Sequence, residues 1–224
     1  MRSRHLARLA GLTIVATVAL AGCSGSESDG GTASDTAPTT GTSCDYPADS
    51  TASKEVDPPP ATTTLTGKVS VTIATSAGDL AAELDADKTP CTVNSFVSLA
   101  EQGYFDDTSC HRLTTSGIAV FQCGDPSGSG MGGPGYTFPD ELSGDETYPA
   151  GTLAMANAGP DTNGSQFFMV YGDTPLPPSY TVFGHLDPAG TKVVEKIAAK
   201  GTAEGGPDGA PATPVIITGV TFDD

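Results

Sequence analysis

The sequence predicts a mostly β domain over residues 66–224, a closed antiparallel barrel whose open ends are covered by two α-helices. Three observations lead there. Short apolar runs recur along the segment, several of them alternate with period two, and only two stretches carry helical spacing.

Val69–Ala74 (VSVTIA) and Leu80–Leu84 alternate on either side of Ser76-Ala77-Gly78-Asp79, the pattern of a hairpin. A helix follows: Thr89 stands at its cap, Pro90 fits its first turn, Val93, Phe96, Val97 and Ala100 share a face, and Gly103 ends it. Short strands are expected around 110–114 and 118–123, then a glycine-rich loop from Gly128 to Gly135, then strands near 152–157, 166–171 and 181–186. A second, short helix is expected where Gly190 and Thr191 precede Val193, Val194, Ile197 and Ala198, with Gly201 as its stop. Pro214–Phe222 reads as a last strand able to pair with the first.

Ahead of the domain lie two segments of different composition. Residues 1–22 have a basic start (Arg2, Arg4, Arg8) and an apolar stretch from Leu9 to Ala21, the layout of a secretory signal peptide. That stretch falls short of the roughly 20 residues a membrane-spanning helix needs. Leu20-Ala21-Gly22-Cys23 resembles a bacterial lipobox, which implies a lipid on Cys23 and an extracytoplasmic protein anchored to the cell membrane. Residues 23–65 are dominated by Ser, Thr, Gly, Asp, Ala and Pro, with few large apolar side chains besides Tyr46 and Val56. Such a segment cannot fold alone and is expected to be a flexible tether, stiffened near its end by Pro58-Pro59-Pro60.

The 224-residue chain carries 27 acidic residues against 10 lysines and arginines, a formal charge of −17. Without the three arginines of the leader the charge becomes −20, which argues against nucleic acid as a partner and fits a solubilising exterior. A monomer is expected. Beyond Cys23 there are four cysteines, Cys44, Cys91, Cys110 and Cys123, and none has zinc-ligand spacing. An even count in an exported chain favours disulfides, with three possible pairings. Cys110 with Cys123, on neighbouring strands, and Cys44 with Cys91, tying the tether to the domain, is the preferred set.

Arg112 is the only arginine beyond the leader, in Cys110-His111-Arg112-Leu113, ten residues ahead of Gln122. Downstream, Leu153–Phe168 (LAMANAGPDTNGSQFF) packs small residues and amides between apolar ones as ordinary core strands do not. With Asn94-Ser95-Phe96, Gln122-Cys123-Gly124-Asp125, the glycine-rich loop and Val182-Phe183-Gly184, these motifs follow a familiar order. Residues 66–222 resemble a cyclophilin-type peptidyl-prolyl cis-trans isomerase. The resemblance implies an eight-stranded barrel with two capping helices, a proline-containing peptide or unfolded exported protein as substrate, and no cofactor or metal.

The chemistry explains why such residues are wanted. Rotation about a peptide bond must cross roughly 18–20 kcal/mol because the nitrogen lone pair is delocalised, and an X-Pro bond exchanges only over tens to hundreds of seconds. Lowering that barrier requires a site that prefers the twisted amide to either planar isomer, with no nucleophile needed. A fixed guanidinium can donate to the imide nitrogen as its lone pair localises, and Arg112 is the one candidate. By position against the family pattern, the resemblance implies a catalytic set of Arg112, His111, Gln122 and Phe168, with His111 only a polar neighbour. Phe168, Met155 and Leu176 line a proline pocket. Gln122, Ala156, Asn157, Ala158 and Gln166 follow the peptide groove, flanked by Gly130, and Ala119, Val120 and Tyr180 complete the substrate-binding set.

Three departures from the pattern matter. Two extra residues lie between Arg112 and Gln122, and Ala119 stands where a pocket phenylalanine is usual, so either Phe121 or Ile118 fills that space or proline is held more weakly. The chain has no tryptophan, with Pro175-Leu176 in that region, which argues against tight cyclosporin binding. Tyr180 occupies the place of a frequent histidine. A non-catalytic module of the same fold, binding proline peptides or acting as a chaperone, is the alternative reading.

Overall fold

A computed structural model describes residues 41–223, so the leader 1–22, Cys23 and the tether up to residue 40 lie outside the described residues. In chain order the elements are β1 (Thr42–Ser43), β2 (Thr62–Thr63), β3 (Lys68–Thr75), β4 (Leu80–Asp85), α1 (Pro90–Glu101), β5 (Thr108–Ser109), β6 (Arg112–Thr114) and β7 (Val120–Cys123). Then come β8 (Thr152–Met155), β9 (Phe167–Val170), β10 (Val182–Leu186), α2 (Pro188–Ala198), β11 (Asp208–Gly209) and β12 (Ile216–Phe222).

Ten strands form one antiparallel sheet in the order β11-β6-β7-β9-β8-β10-β4-β3-β12-β5. β5 is one edge and β6 lies next to the other, yet only Cys110 and His111 separate them in the chain. The sheet must therefore curl until its two ends approach. The mostly β, two-helix architecture expected from the sequence is present. The ladder itself is not a closed ring of eight strands: two-residue edge strands raise the count to ten, and no pairing joins β5 to β11. The backbone of Cys110 and His111 crosses that seam instead.

Period-two alternation sorts the side chains of each strand onto two faces. On β9, Phe167 and Met169 enter the main core, and Phe168 and Val170 enter a second cluster with Val120, Ala154 and Tyr148. Phe96 of α1 meets Phe105, Phe167 and Phe183 with ring centroids 5.1–5.5 Å apart, which fixes the helix over one mouth of the sheet. α1 begins at Pro90, whose missing N–H costs nothing there. Thr89 makes no side-chain cap; its hydroxyl donates to Asp85 O instead. α2 begins at Pro188, two residues before Gly190, because the Asp187 carboxylate caps it by accepting from the Gly190 N–H.

The flexible tether expected over 23–65 is, from residue 41 onward, part of the folded body. Cys44 is bonded to Cys91 of α1, and Cys110, in the link between β5 and β6, to Cys123 at the end of β7. Tyr46 packs edge-on against Tyr136 and Phe138, donates to Cys91 O at 2.7 Å, and accepts from Asn94 Nδ2. Asn94 also donates to Pro60 O, and the Lys54 ammonium donates to backbone carbonyls just past α1. Residues 47–53 run along the glycine-rich loop as an added strap: Thr137 N–H donates to Pro47 O, Asp49 N–H to Gly135 O, and Ser53 N–H to Gly133 O. Composition hid this because the segment borrows the domain's core rather than making its own.

Candidate active site

Register assembles the site. Arg112 pairs with Gln122 across β6–β7, Gln122 with Phe168 across β7–β9, Phe168 with Ala154 across β9–β8, and Ala154 with Val182 across β8–β10. One row of residues thus crosses five strands, and directly paired positions project to the same face.

Over this row lies a surface slot of about 150 Å3. Ile118, Val120, Phe168, Leu176 and Tyr180 give it apolar walls, and Arg112, Gln122 and Asn157 bring polar groups to its edge. Phe168 and Tyr180 meet edge to face, 5.5 Å between centroids. Tyr148 anchors that wall from behind: its hydroxyl shares its one proton between Pro177 O and Tyr180 O, 3.1 and 3.2 Å away, and accepts from Tyr180 N–H.

A second hollow of about 310 Å3 shares Gln122, Ala156 and Asn157 with the slot and continues along Ala158, Gln166 and residues 130–134, with Asp49 and Ser50 of the strap on its far side. A chain of amides ties the two together. Arg112 Nη1 points to Gln122 Oε1 at 3.4 Å, Gln122 Nε2 donates to Gln166 Oε1 at 2.8 Å, and Gln166 Nε2 donates to the carbonyls of Gly130 and Gly132. Asn157 is held by donation to Ser179 O at 2.9 Å.

The glycine-rich loop is wrapped around Asp125. This fully buried carboxylate accepts from Ser127 N–H and hydroxyl and from the N–H groups of Gly130 and Gly132. A Cβ on Gly132 would fall 2.0 Å from its Oδ1, so the loop closes this tightly only with glycine there. Burial pushes the Asp125 carboxyl up, and the hydrogen bonds from Ser127, Gly132 and Gly130 outweigh it and hold it below the usual carboxylate range. His111 lies beside the loop with neither ring nitrogen hydrogen-bonded. Burial drives its pKa down although Asp125 acts the other way, which favours the neutral imidazole.

The structure brings Arg112, Gln122, Phe168, Ala156, Asn157, Leu176, Tyr180 and Val120 to the slot, and Ala158, Gln166 and Gly130 to the second hollow. Two expectations are corrected. Met155 is in the main core, because it pairs with inward-facing Phe167 while Ala154 takes the outer face. Ala119 is not at the slot; its N–H donates to Thr174 Oγ1 and its methyl lies toward Gly172. Phe121 is fully buried in the main core, so Ile118 covers the space left by the missing ring. Tyr148, Asp125 and Asp208 were not anticipated as site residues. Asp125 stands in the motif Gln122-Cys123-Gly124-Asp125, whereas Tyr148 and Asp208 have no local signal.

The family model described as "Cyclophilin type peptidyl-prolyl cis-trans isomerase/CLD" matches residues 70–222. A Mycobacterium tuberculosis protein named "Probable peptidyl-prolyl cis-trans isomerase B" is 55% identical over 169 residues, covering 70% of this chain and 55% of that protein. The Mycobacterium leprae protein of the same name is 49% identical over 199 residues, covering 82% and 68%. The match thus spans little more than half the length of the M. tuberculosis relative. Among solved structures, a Cryptosporidium parvum cyclophilin-type peptidyl-prolyl cis-trans isomerase superposes with a TM-score of 0.63 at 32% identity, covering 70% of this chain and 99% of its own. The same protein solved in the presence of the dipeptide Ala-Pro gives a TM-score of 0.62 at 33% identity, covering 69% and 99%. With the matched region taking in the row from Arg112 to Val182, the slot over it and every wall of the second hollow except the strap, this chain belongs to the cyclophilin-type peptidyl-prolyl cis-trans isomerase family.

Proposed function

We propose that the chain is a peptidyl-prolyl cis-trans isomerase acting on X-Pro bonds of exported proteins during their folding, through stabilisation of the twisted imide by Arg112. One observation carries the reading: the register sets the only guanidinium of the described residues at the rim of an apolar slot floored by Phe168. The proline ring enters the slot, leaving water behind and placing the imide against the guanidinium edge. As the bond twists, the nitrogen lone pair localises and becomes a hydrogen-bond acceptor that neither planar isomer offers. A donor already aimed at that point binds the transition state better than the ground state, which is the condition for catalysis. Gln122 and Asn157 hold the peptide backbone on either side, and neutral His111 shapes the loop without moving a proton. The guanidinium is charged in any case, and donating two hydrogen bonds to the Asp208 carboxylate, together with that group's charge, pushes its pKa further up against the opposing effect of burial.

Anchoring through a lipid on Cys23 belongs to the same proposal, supported by the leader's order of basic start, apolar stretch and Leu-Ala-Gly-Cys. Exchange spectroscopy on a proline-containing peptide tests the activity. Arg112→Ala should lower kcat/KM by about 10²–10³, the usual loss of one preorganised donor. Wild-type turnover at the uncatalysed rate, with peptide binding retained, would turn the chain into a proline-peptide binder.

A further inference from the structure

Arg112 is not free in its site. The Asp208 carboxylate accepts from Nε at 2.9 Å and from Nη2 at 2.7 Å, a two-pronged grip on one edge of the guanidinium, while Nη1 on the other edge points to Gln122. Asp208 is presented by backbone rather than by chance: on β11 it pairs with Thr114, and Gly209 with Leu113, so the acid is bonded to the very strand that carries the arginine. Its loop is tied on both sides, by Thr115 N–H to Pro207 O, Ala203 N–H to Ala210 O, and the Thr202 hydroxyl to Gly206 O. Both side chains are about half exposed, at 42% and 50%, and pairs of that kind add little to stability. What a fork-to-fork pair does supply is direction, since a planar guanidinium held at two points cannot turn.

We propose that Asp208 is a positioning residue of the isomerase site: by occupying Nε and one Nη2 hydrogen it fixes the guanidinium plane and leaves the Nη1 edge to face the proline slot. This rests on the function proposed above and adds to it the acid that aims the arginine. Of the five N–H donors, Asp208 takes two and Gln122 one, so one on each terminal nitrogen remains for the substrate. An unaimed arginine would sweep over several rotamers and meet the twisted imide in only a fraction of them, which lowers kcat more than affinity.

The test uses the full-length protein carrying Asp208→Ala, Asp208→Asn or Asp208→Glu, with kcat and KM measured separately by exchange spectroscopy on a proline peptide. Asp208→Ala should lower kcat about tenfold and change KM less than about twofold. Asp208→Glu should recover part of the loss because it restores a two-oxygen acceptor. The Arg112 Nε–H resonance should be visible in the wild type and should broaden or vanish in Asp208→Ala while the rest of the amide spectrum is kept. Asp208→Ala placed on Arg112→Ala should cost nothing further. Unchanged kcat, a kcat that rises, or an additive loss in the double variant would each overturn the proposal; a rise would make Asp208 a competitor of the substrate. A wild type without turnover would remove the isomerase reading and this one together, whereas an active wild type with an indifferent Asp208→Ala removes this one alone.

Discussion

Gln122 donates to Gln166 through their side-chain amides at 2.8 Å, 44 positions apart in the chain, and this bond joins the proline slot to the glycine-rich rim of the second hollow. Gln166 passes the constraint on to Gly130 O and Gly132 O. Gln166→Leu keeps the bulk and removes these bonds, each worth about 0.5–1.5 kcal/mol. KM for proline peptides should rise about tenfold with kcat within about twofold, read by exchange kinetics. An equal fall in kcat would show Gln166 acting on the reaction itself.

Tyr148 should matter through its oxygen alone. Tyr148→Phe keeps the ring beside Phe168 but strands the Tyr180 N–H and removes a donor from the carbonyls of Pro177 and Tyr180. Thermal unfolding should show a loss of about 1–3 kcal/mol. KM should rise in parallel, because Tyr180 is a wall of the slot.

The two disulfides differ in how much chain they enclose, 47 positions for Cys44–Cys91 and 13 for Cys110–Cys123. Loop-closure entropy then assigns about 4 and about 3 kcal/mol respectively. Denaturant titration of Cys44→Ser/Cys91→Ser should reveal the larger loss. Activity should follow the opposite order, since Cys110 and Cys123 flank His111-Arg112 and Gln122.

Asp125 sets a pH dependence. Its carboxyl is held below the ordinary range in the folded chain, so the stability it contributes is complete above the unfolded value, about 3.9, and is lost as pH falls through the folded value. Unfolding free energy measured from neutral pH downward should fall in this acid window. Asp125→Asn should be less stable at neutral pH and show a shallower acid dependence. A variant with the wild-type slope would move the effect to other carboxylates.

Much of the site was legible because its residues sit in contiguous motifs whose ladder positions coincide: Arg112, Gln122 and Phe168 occupy one row, and the motif preserves their spacing within each strand. What failed was the face on which a side chain projects. Met155 sits beside Ala154 in the motif but turns inward with Phe167, and a one-residue step along a strand reverses every direction. The two additional residues after Arg112 are absorbed in the turn around Gly117, whose φ of +80° suits glycine, so Val120 still pairs with Thr114 while Ala119 falls outside the slot. Asp208 reaches Arg112 from 96 positions away, and no periodicity announces such a pair. Residues 41–65 misled for another reason: three partly buried side chains, Tyr46, Val56 and Leu65, and one disulfide suffice to dock a polar segment on a core that already exists.

That docking has a bearing on geography. With the chain from residue 41 onward belonging to the body, an anchored protein would have only residues 24–40 between its lipid and its fold, a contour of about 60 Å even at full extension. Were Cys23 lipidated as proposed, the slot could meet only those proline segments that come within this reach of the bilayer.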